Sequence, residues 1–504
     1  MPVSATSQTS DATKKRLYDY QSADLYRIFD VLENAPKNFN LLYQLPTGGG
    51  KTVVFSEIVR RYIKYYDKKV VILTHRVELC KQTSKVLSGF KVKNKIINSE
   101  VKTLPDQDEF KCFVAMVETL NNRLNDDQFT LENIGLVIID EAHYNSFRKL
   151  FKFFQHCFIL GVTATPLSSN IKLPMKDNYN KLIVGDDIGT LIKNGYLAKA
   201  KTYSYDVSLN TLKVGINGDY TVKSSEALYS NSLMLNKLIY AYEEVSKGKK
   251  TLIFNNGINT SKDVYHAFHR AGYNIRHLDN TCNKQERKEI LKWFKNTKDG
   301  ILTSVSILTT GFDEPTVETI ILNRATRSLT LYFQMIGRGS RILDDKSSFQ
   351  VVDLGNNLAR FGPWDQMVDW QHIFKYPDFY LDNIRDDETI EREFVYVMPD
   401  VLRSQFNKSE SLDFDMKAVY KEVVAEGKKS FMAIEKSIAQ HADICIENSE
   451  DVFEARALAK LLMDEIDYRI KQYCYCMMNS TQNYKDWLFE EYNRRLRLSF
   501  NGKF

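Results

Sequence analysis

No stretch of this 504-residue chain reads as a membrane anchor or a secretion signal. No apolar run approaches the ~18–20 residues that a bilayer-spanning helix needs. Met1 to Arg16 is rich in Ser and Thr, with neither the apolar core of a signal peptide nor an Arg before Arg16, so residues 1–16 are expected to form a disordered tail. A metal framework is missing as well. Seven cysteines are scattered through the chain, mostly in apolar segments, and only Cys474 and Cys476 are close. No second pair or His cluster completes a zinc site, and reduced thiols in a cytoplasmic protein are the expectation. Nor is there a large charge excess: 69 basic against 64 acidic residues leave +5, too little to establish a nucleic-acid partner. Beyond Pro399 the chain has no proline and only two glycines, Gly427 and Gly502, so this part reads as mostly helical. The length admits about three domains, and 43% hydrophobic residues suffice for real cores.

Against these absences stands Leu45-Pro46-Thr47-Gly48-Gly49-Gly50-Lys51-Thr52. It follows the apolar run Leu41-Leu42-Tyr43 and precedes the helical pattern Val53 to Tyr66. Strand, glycine turn and helix together grip a nucleotide's phosphates. The glycines let backbone N–H groups approach, Lys51 neutralises charge, and the Thr52 hydroxyl can ligate Mg²⁺. The strict P-loop pattern has Gly at the position of Leu45. A second run, Gly135-Leu136-Val137-Ile138-Ile139-Asp140-Glu141-Ala142-His143, is a buried parallel strand ending in acids. Open α/β sheets bind ligands at the carboxyl ends of their strands. There Asp140 would hold Mg²⁺, and Glu141 would polarise the water that attacks the γ-phosphate.

Asp140-Glu141-Ala142-His143, followed by Thr163-Ala164-Thr165-Pro166, resembles the superfamily-2 helicases and translocases, DEAD/DEAH-box proteins. Further segments match in order. Leu17-Tyr18-Asp19-Tyr20-Gln21 resembles the adenine-reading segment, with Gln21 on the base edge and Tyr18 where many relatives carry Arg. Val71-Ile72-Leu73-Thr74-His75-Arg76 and Ala115-Met116-Val117-Glu118-Thr119-Leu120 resemble first-lobe motifs that touch a nucleic-acid backbone. Thr251 to Asn256 resembles the first strand of the second lobe. Leu308-Thr309-Thr310-Gly311-Phe312-Asp313-Glu314-Pro315 resembles the motif that senses nucleotide and strand. Tyr332 to Arg341 carries Q-x-x-G-R-x-x-R, and the three-residue spacing of Arg338 and Arg341 predicts that they share a helix face. An arginine finger is worth about 10³–10⁵ in rate.

The resemblance covers roughly residues 17–355 and leans, through Gly185 to Leu197 and Gln334, toward the type III restriction-subunit-like branch, which includes XPB-like and UvsW-like motors. It implies an α/β fold of two RecA-like lobes. Lobe 1 spans 17–190, lobe 2 spans 191–360, and a helical accessory domain occupies 361–504. It further implies ATP and Mg²⁺ bound by Gln21, Thr47, Gly48, Gly49, Gly50, Lys51, Thr52, Asp140, Gly311 and Asp313. Lys51, Asp140, Glu141, Arg338 and Arg341 would act in catalysis, and His143, Thr163, Thr165 and Gln334 in coupling. Thr74, Arg76, Thr119, Asn256 and Thr309 would hold nucleic-acid phosphates.

Strands are expected near 41–45, 70–74, 112–116, 135–139 and 158–162, then 201–207, 251–255, 300–303, 318–322 and 349–353. Val214 to Val222, around Asn217-Gly218, reads as a hairpin: a pin near the substrate or a surface ribbon. Only about ten residues separate Leu322 from Tyr332, which excludes the strand-separating hairpin some helicases insert there. Trp364 and Trp370 would stack on bases or, better, pack on lobe 2. The basic end, Tyr492 to Arg497, would touch phosphates or lie in solvent. The expected activity is ATP-driven movement along DNA, or its remodelling. RNA as track, a non-catalytic binding scaffold, and the motor subunit of a restriction or defence complex docked through the C-terminal domain remain alternatives. Abundant Lys, Asn and Tyr point to an AT-rich bacterial or viral genome.

Overall fold

The computed structural model describes residues 17–36, 38–101, 109–126, 130–170, 172–305, 308, 312–393, 395–409, 411–477 and 480–501. The expected tail, Thr309 and Gly311 lie outside them. The chain divides into two compact units, Met1–Ser204 with Thr211–Ile384, and Tyr205–Asn210 with Arg385–Phe504.

The first unit contains two parallel sheets. In the first sheet, β1 (Asn40–Gln44), β2 (Lys69–Thr74), β3 (Asn94–Ile97), β4 (Cys112–Met116), β5 (Ile134–Asp140), β6 (Phe158–Thr163) and β7 (Lys181–Val184) lie in the order β3-β4-β2-β5-β6-β1-β7. In the second, β8 (Lys199–Ser204), β9 (Thr251–Asn255), β10 (Ile275–Leu278), β11 (Ile301–Ser304), β12 (Thr319–Asn323) and β13 (Ser348–Asp353) follow the order β10-β11-β9-β12-β13-β8. Leu136, Val137, Ile138 and Ile139 are wholly buried, as a central strand covered on both faces by helices must be. The register sets Gln44 beside Thr163 and Asp140 beside Val162. The loops after β1, β5 and β6 therefore leave the sheet at one edge, and that edge carries the phosphate loop and the acids.

Three strands escaped the sequence reading: β3, β7 and β10. All are four residues long and lie at sheet edges. An edge strand needs no continuous apolar run, so its sequence carries little signal. The domain boundaries also differ from the expectation. Residues 361–384 belong to the first unit, because Trp364 and Trp370 are buried edge-on against Phe349 and Phe333, with ring centroids 5.9 Å apart in each pair. Conversely, Tyr205–Asn210 joins the helical unit. There Asp206 pairs with Lys471 at 2.8 Å, and Glu391 accepts from Ser208 Oγ at 3.1 Å and Leu209 N at 3.0 Å.

The expected hairpin is a tight ribbon closed by a Val214–Tyr220 bridge. It is tied down at its base: the Asp219 carboxylate accepts from Thr326 Oγ1 and Arg327 N, both at 2.8 Å, and Tyr220 is buried. Its tip residue, Ile216, is fully exposed.

The second unit packs five longer helices, Met416–Ala425, Met432–Glu447, Val452–Leu461, Met463–Met477 and Gln482–Phe500. Gly427, at φ +70°, ends the first. Val423, Ile434, Cys445, Leu462, Ile466, Leu488 and Tyr492 are among its core residues. A polar network also runs through the interior. Arg469 is buried, contacts the Glu465 carboxylate and donates to Ser437 Oγ at 3.1 Å. The Tyr492 hydroxyl bridges Ser437 (2.7 Å) and His441 Nδ1 (2.9 Å). Among the described residues no helix is long and apolar enough to cross a membrane.

This network makes the helical unit acid-sensitive. Burial, and then Arg469, push the His441 imidazole down to about 4, so between about 6.5 and 4 only the unfolded chain takes up that proton. Burial alone would raise Glu465, but hydrogen bonding to His441 and the charge of Arg469 hold it below its ordinary value, so its contribution is also lost as pH falls. Stability should drop by roughly 2–3 kcal/mol between pH 7 and pH 4. Hydrogen exchange of Met432–Glu447 and Met463–Met477, corrected for intrinsic rates, should show that loss. Unchanged protection would contradict it.

Candidate nucleotide and nucleic-acid site

The phosphate loop links β1 to the helix Lys51–Tyr66. Gly48 and Gly50 adopt φ +94° and +86°, a left-handed backbone that favours glycine. A Cβ on Gly48 would lie 2.7 Å from a Leu197 methyl and 2.8 Å from Ser340 Oγ; one on Gly50 would lie 2.5 Å from Gln21 Nε2. The helix therefore begins at a cradle of bare backbone, where its unpaired N–H groups favour an anion. Lys51 heads that helix, its Nζ donating to Leu45 O at 3.2 Å. Burial pushes its pKa down while Glu141 and Asp140 oppose this.

The acids sit at the end of β5. Glu141 has φ +55°, a left-handed conformation that costs a non-glycine residue roughly 1–2 kcal/mol. Burial, and then Glu141, raise the Asp140 carboxyl above its ordinary value. Burial acts the same way on Glu141, but Lys51, His143 and Arg338 prevail and hold it below its ordinary value. Glu141 Oε2 and Arg338 Nε are both buried without a hydrogen-bond partner in the protein. Such orphans need an explanation, and a triphosphate with its attacking water fits. Asp140 and Thr52 offer hard oxygens of the kind Mg²⁺ takes together with phosphate oxygens. Among the described residues no three His, Cys, Asp or Glu side chains cluster to hold a metal by themselves.

The second lobe meets this loop directly. The helix Leu329–Ile336 stops before Arg338 and Arg341, so the two do not share a helix face as their spacing predicts. Gly337 caps the helix, and Ser340 Oγ donates to Gly337 O at 2.8 Å, turning the chain. That turn faces the phosphate loop. Arg341 Nη1 donates to Gly48 O at 2.8 Å, and its Nε to Asp313 Oδ1 at 2.8 Å. Arg338 Nη1 donates to Phe312 O at 2.5 Å. Burial, and then Arg341, lower the Arg338 guanidinium to about 10, so it stays charged at neutral pH. Thr47 packs against Gly337, where a Cβ would lie 2.6 Å from its methyl.

A polar chain runs beside these groups. His143 Nδ1 lies 3.4 Å from Glu141 Oε2 and 2.9 Å from Thr163 Oγ1. Thr163 donates to Thr165 O at 3.0 Å. Two links then cross to the second lobe: Gln334 Nε2 is 3.4 Å from His143 Nε2, and Thr165 Oγ1 donates to Thr330 Oγ1 at 3.0 Å. Burial lowers the His143 pKa, and Glu141 opposes this. All four residues expected to couple the lobes thus lie in one chain. Thr330 was missed, since nothing in the sequence marks its hydroxyl.

On the base side, Gln21 is turned inward. Its Nε2 donates to Gly49 O at 3.0 Å and to the Tyr20 hydroxyl at 3.2 Å, and its Oε1 accepts from Tyr18 N at 3.1 Å. It braces the phosphate loop in this conformation. Half-exposed Tyr18 sits with its ring centroid 4.6 Å from Tyr196 and 5.9 Å from Tyr20. Tyr196 belongs to the Gly185 to Leu197 segment.

The expected nucleic-acid contacts fare less well. Thr74 is wholly buried and shares its hydroxyl with Arg76 O (3.2 Å) and Cys80 Sγ (2.9 Å), so it is a core group and not a phosphate ligand. The Asn256 amide donates inward to Ser225 Oγ at 2.7 Å and Tyr220 O at 3.3 Å, holding the ribbon base. Arg76 caps the helix Val77–Gly89, and Thr119 lies half-buried in the first turn of Val117–Asn125.

Comparison with known proteins agrees with this geometry. Residues 14–168 match the family model described as type III restriction enzyme, res subunit, and residues 232–343 match the helicase conserved C-terminal domain. A 51.5 kDa protein of a Lactococcus phage is 29% identical over 338 residues, covering 66% of this chain and 70% of that protein. The Saccharomyces cerevisiae protein named "Putative ATP-dependent helicase IRC3" is 28% identical over 356 residues, covering 67% of this chain but only 51% of its own length. Among solved structures, the DNA-bound type ISP restriction-modification enzyme LlaBIII shares the fold at TM-score 0.51 and 16% identity, covering 97% of this chain and 41% of that one. With its two lobes, its phosphate loop and its arginine turn in these places, the chain belongs to the superfamily-2 helicases.

Proposed function

We propose that this chain is an ATP-dependent DNA helicase or translocase whose lobes jointly grip ATP. One observation carries the reading: Arg341 of the second lobe lies on Gly48 O of the first lobe's phosphate loop. Lys51 and the loop N–H groups bind the phosphates. Glu141, ionised and with a free buried oxygen, orients and polarises the attacking water. Arg338 and Arg341 face the charge that develops as the terminal phosphoryl group leaves. Thr52 and Asp140 would hold Mg²⁺, which would neutralise phosphate charge. The Glu141–His143–Gln334 and Thr165–Thr330 links relay the state of the site between lobes, so hydrolysis alters how the lobes grip the strand. Phosphate contacts carry no base sequence, so binding is sequence-tolerant and weakens with salt.

DNA is favoured over RNA by the relatives named as restriction enzymes, including the Escherichia coli EcoAI endonuclease subunit (22% identical over 379 residues). Those relatives also favour a partner docked through the helical unit, and a bacterial or virus-infected cytoplasm as the setting.

ATP turnover should rise more with single-stranded or forked DNA than with RNA of equal length; the reverse order would replace DNA by RNA as the track. Lys51→Ala should abolish turnover without unfolding the protein. Glu141→Gln should bind ATP yet hydrolyse it about 10²–10⁴-fold more slowly, and near-normal turnover would remove Glu141 as the water-polarising group. Thr165→Val and Thr330→Val should each slow turnover, with the double variant no worse than either single one. Additive losses would mean that the hydroxyl pair transmits nothing.

A further inference from the structure

We infer that Lys346 is a positioning residue for the arginine turn: its ammonium locks the backbone that aims Arg338 and Arg341. The inference rests on the finger role proposed above. Lys346 closes a tight turn with Leu343, exchanging backbone hydrogen bonds of 3.0 and 3.2 Å. From there its side chain runs inward and is buried. Nζ donates to Gly339 O at 2.7 Å, Arg341 O at 2.9 Å and Pro315 O at 3.0 Å. An ammonium has three protons, and three carbonyls take them. Two of these carbonyls belong to the arginine turn. The third belongs to the 312–315 segment, which receives Arg338 at Phe312 O and Arg341 at Asp313.

The intervening carbonyl is held as well, since Ala198 N donates to Ser340 O at 2.9 Å. Gly339 leaves no slack: a Cβ there would lie 2.2 Å from the Phe349 ring. The carbonyls of residues 339, 340 and 341 are thus all fixed from behind, while the guanidinium groups project toward the other lobe. Burying an ammonium is costly unless every proton is used, and packing alone would be served by an apolar side chain. Lys346 touches neither arginine side chain. It acts on their backbone, where a displacement of ~1 Å is enough to cost about 10² in rate.

The same geometry gives a signature in pH. Burial lowers the Lys346 ammonium to about 8; Glu318, Asp345 and Glu314 support its charge and Arg341 opposes it. Lys201, Lys249, Lys250, Lys295 and Lys298 line the same cavity of about 610 Å³. As pH rises through about 8 the ammonium loses its proton, one carbonyl loses its donor, and the turn loosens. Turnover should therefore fall on the alkaline side through kcat. Deprotonation of Lys51, which binds phosphate directly, would act through the KM for ATP instead.

The test compares the full-length wild type, K346M, E318Q and R341A in DNA-stimulated ATP turnover from pH 6.5 to 9.5. K346M should lower kcat about 10–100-fold at pH 7.5, leave KM for ATP within about threefold, and lack the alkaline fall. E318Q should keep its activity at pH 7 and move the fall in kcat to lower pH, because it removes the carboxylate that most supports the Lys346 charge without touching the nucleotide site. This second variant decides the matter even if K346M fails to fold. R341A separates the two levels: unchanged kcat removes the finger role and this inference with it. A large loss in R341A, combined with normal kcat in K346M or an unmoved alkaline limb in E318Q, overturns the role of Lys346 alone.

Discussion

A phosphate loop on one lobe ends in a bare carbonyl, and an arginine from the other lobe donates to it. The Arg341–Gly48 contact needs glycine at 48, because the left-handed backbone and the closeness of Ser340 and Leu197 leave no room for a side chain. It needs the helix before Arg338 to stop at Ile336, so that the chain can turn back. It needs Asp313 to hold the other edge of the guanidinium. Charge balance follows from the same crowding. Lys51, Asp140, Glu141 and Arg338 are all brought into low dielectric. Burial drives Asp140 up and Arg338 down, and Glu141 stays ionised because cations surround it. These are the conditions under which fixed charges act strongly on a developing transition state.

The residues gathered where the two lobes meet were readable in the sequence because they are particular types at short spacings. Glycines, Lys51 and Thr52 occupy one loop; Asp140 and Glu141 end one strand; the arginines share one turn. The central strands were readable for a related reason, since a strand buried on both faces must be continuously apolar. Legibility failed where geometry depends on distant chain. Short edge strands such as Asn94–Ile97 need only a neighbour to pair with. Thr74 matches a phosphate-contacting motif, yet its hydroxyl is consumed by Cys80 and the Arg76 carbonyl. Asn256 likewise turns to the ribbon base. A motif fixes residue type and position, but the direction of a side chain is set by its neighbours in space. Thr330 makes the same point in reverse: it works through Thr165, which the sequence places far away.

The helical unit follows a different logic. It takes in a short segment, Tyr205–Asn210, which directly continues strand β8 of the motor's second sheet, and fixes it through Lys471 and Glu391. The chain therefore passes between the two units at three points, after Ser204, after Asn210 and after Ile384. Its interior carries the Glu465–Arg469–His441–Tyr492 network. Its members hold one another by hydrogen bonds and charge, which favours one arrangement of helices over others of similar hydrophobic content.

The shared-site claim is tested most directly by a structure of the protein with Mg²⁺ and a transition-state analogue of ATP hydrolysis, in the presence of DNA. Arg338 and Arg341 should then lie within about 3.2 Å of the oxygens that mimic the terminal phosphoryl group, with Arg341 released from Gly48 O and Glu141 on the water opposite. Both guanidinium groups turned away from that phosphoryl position, with the nucleotide held by the first lobe alone, would contradict it.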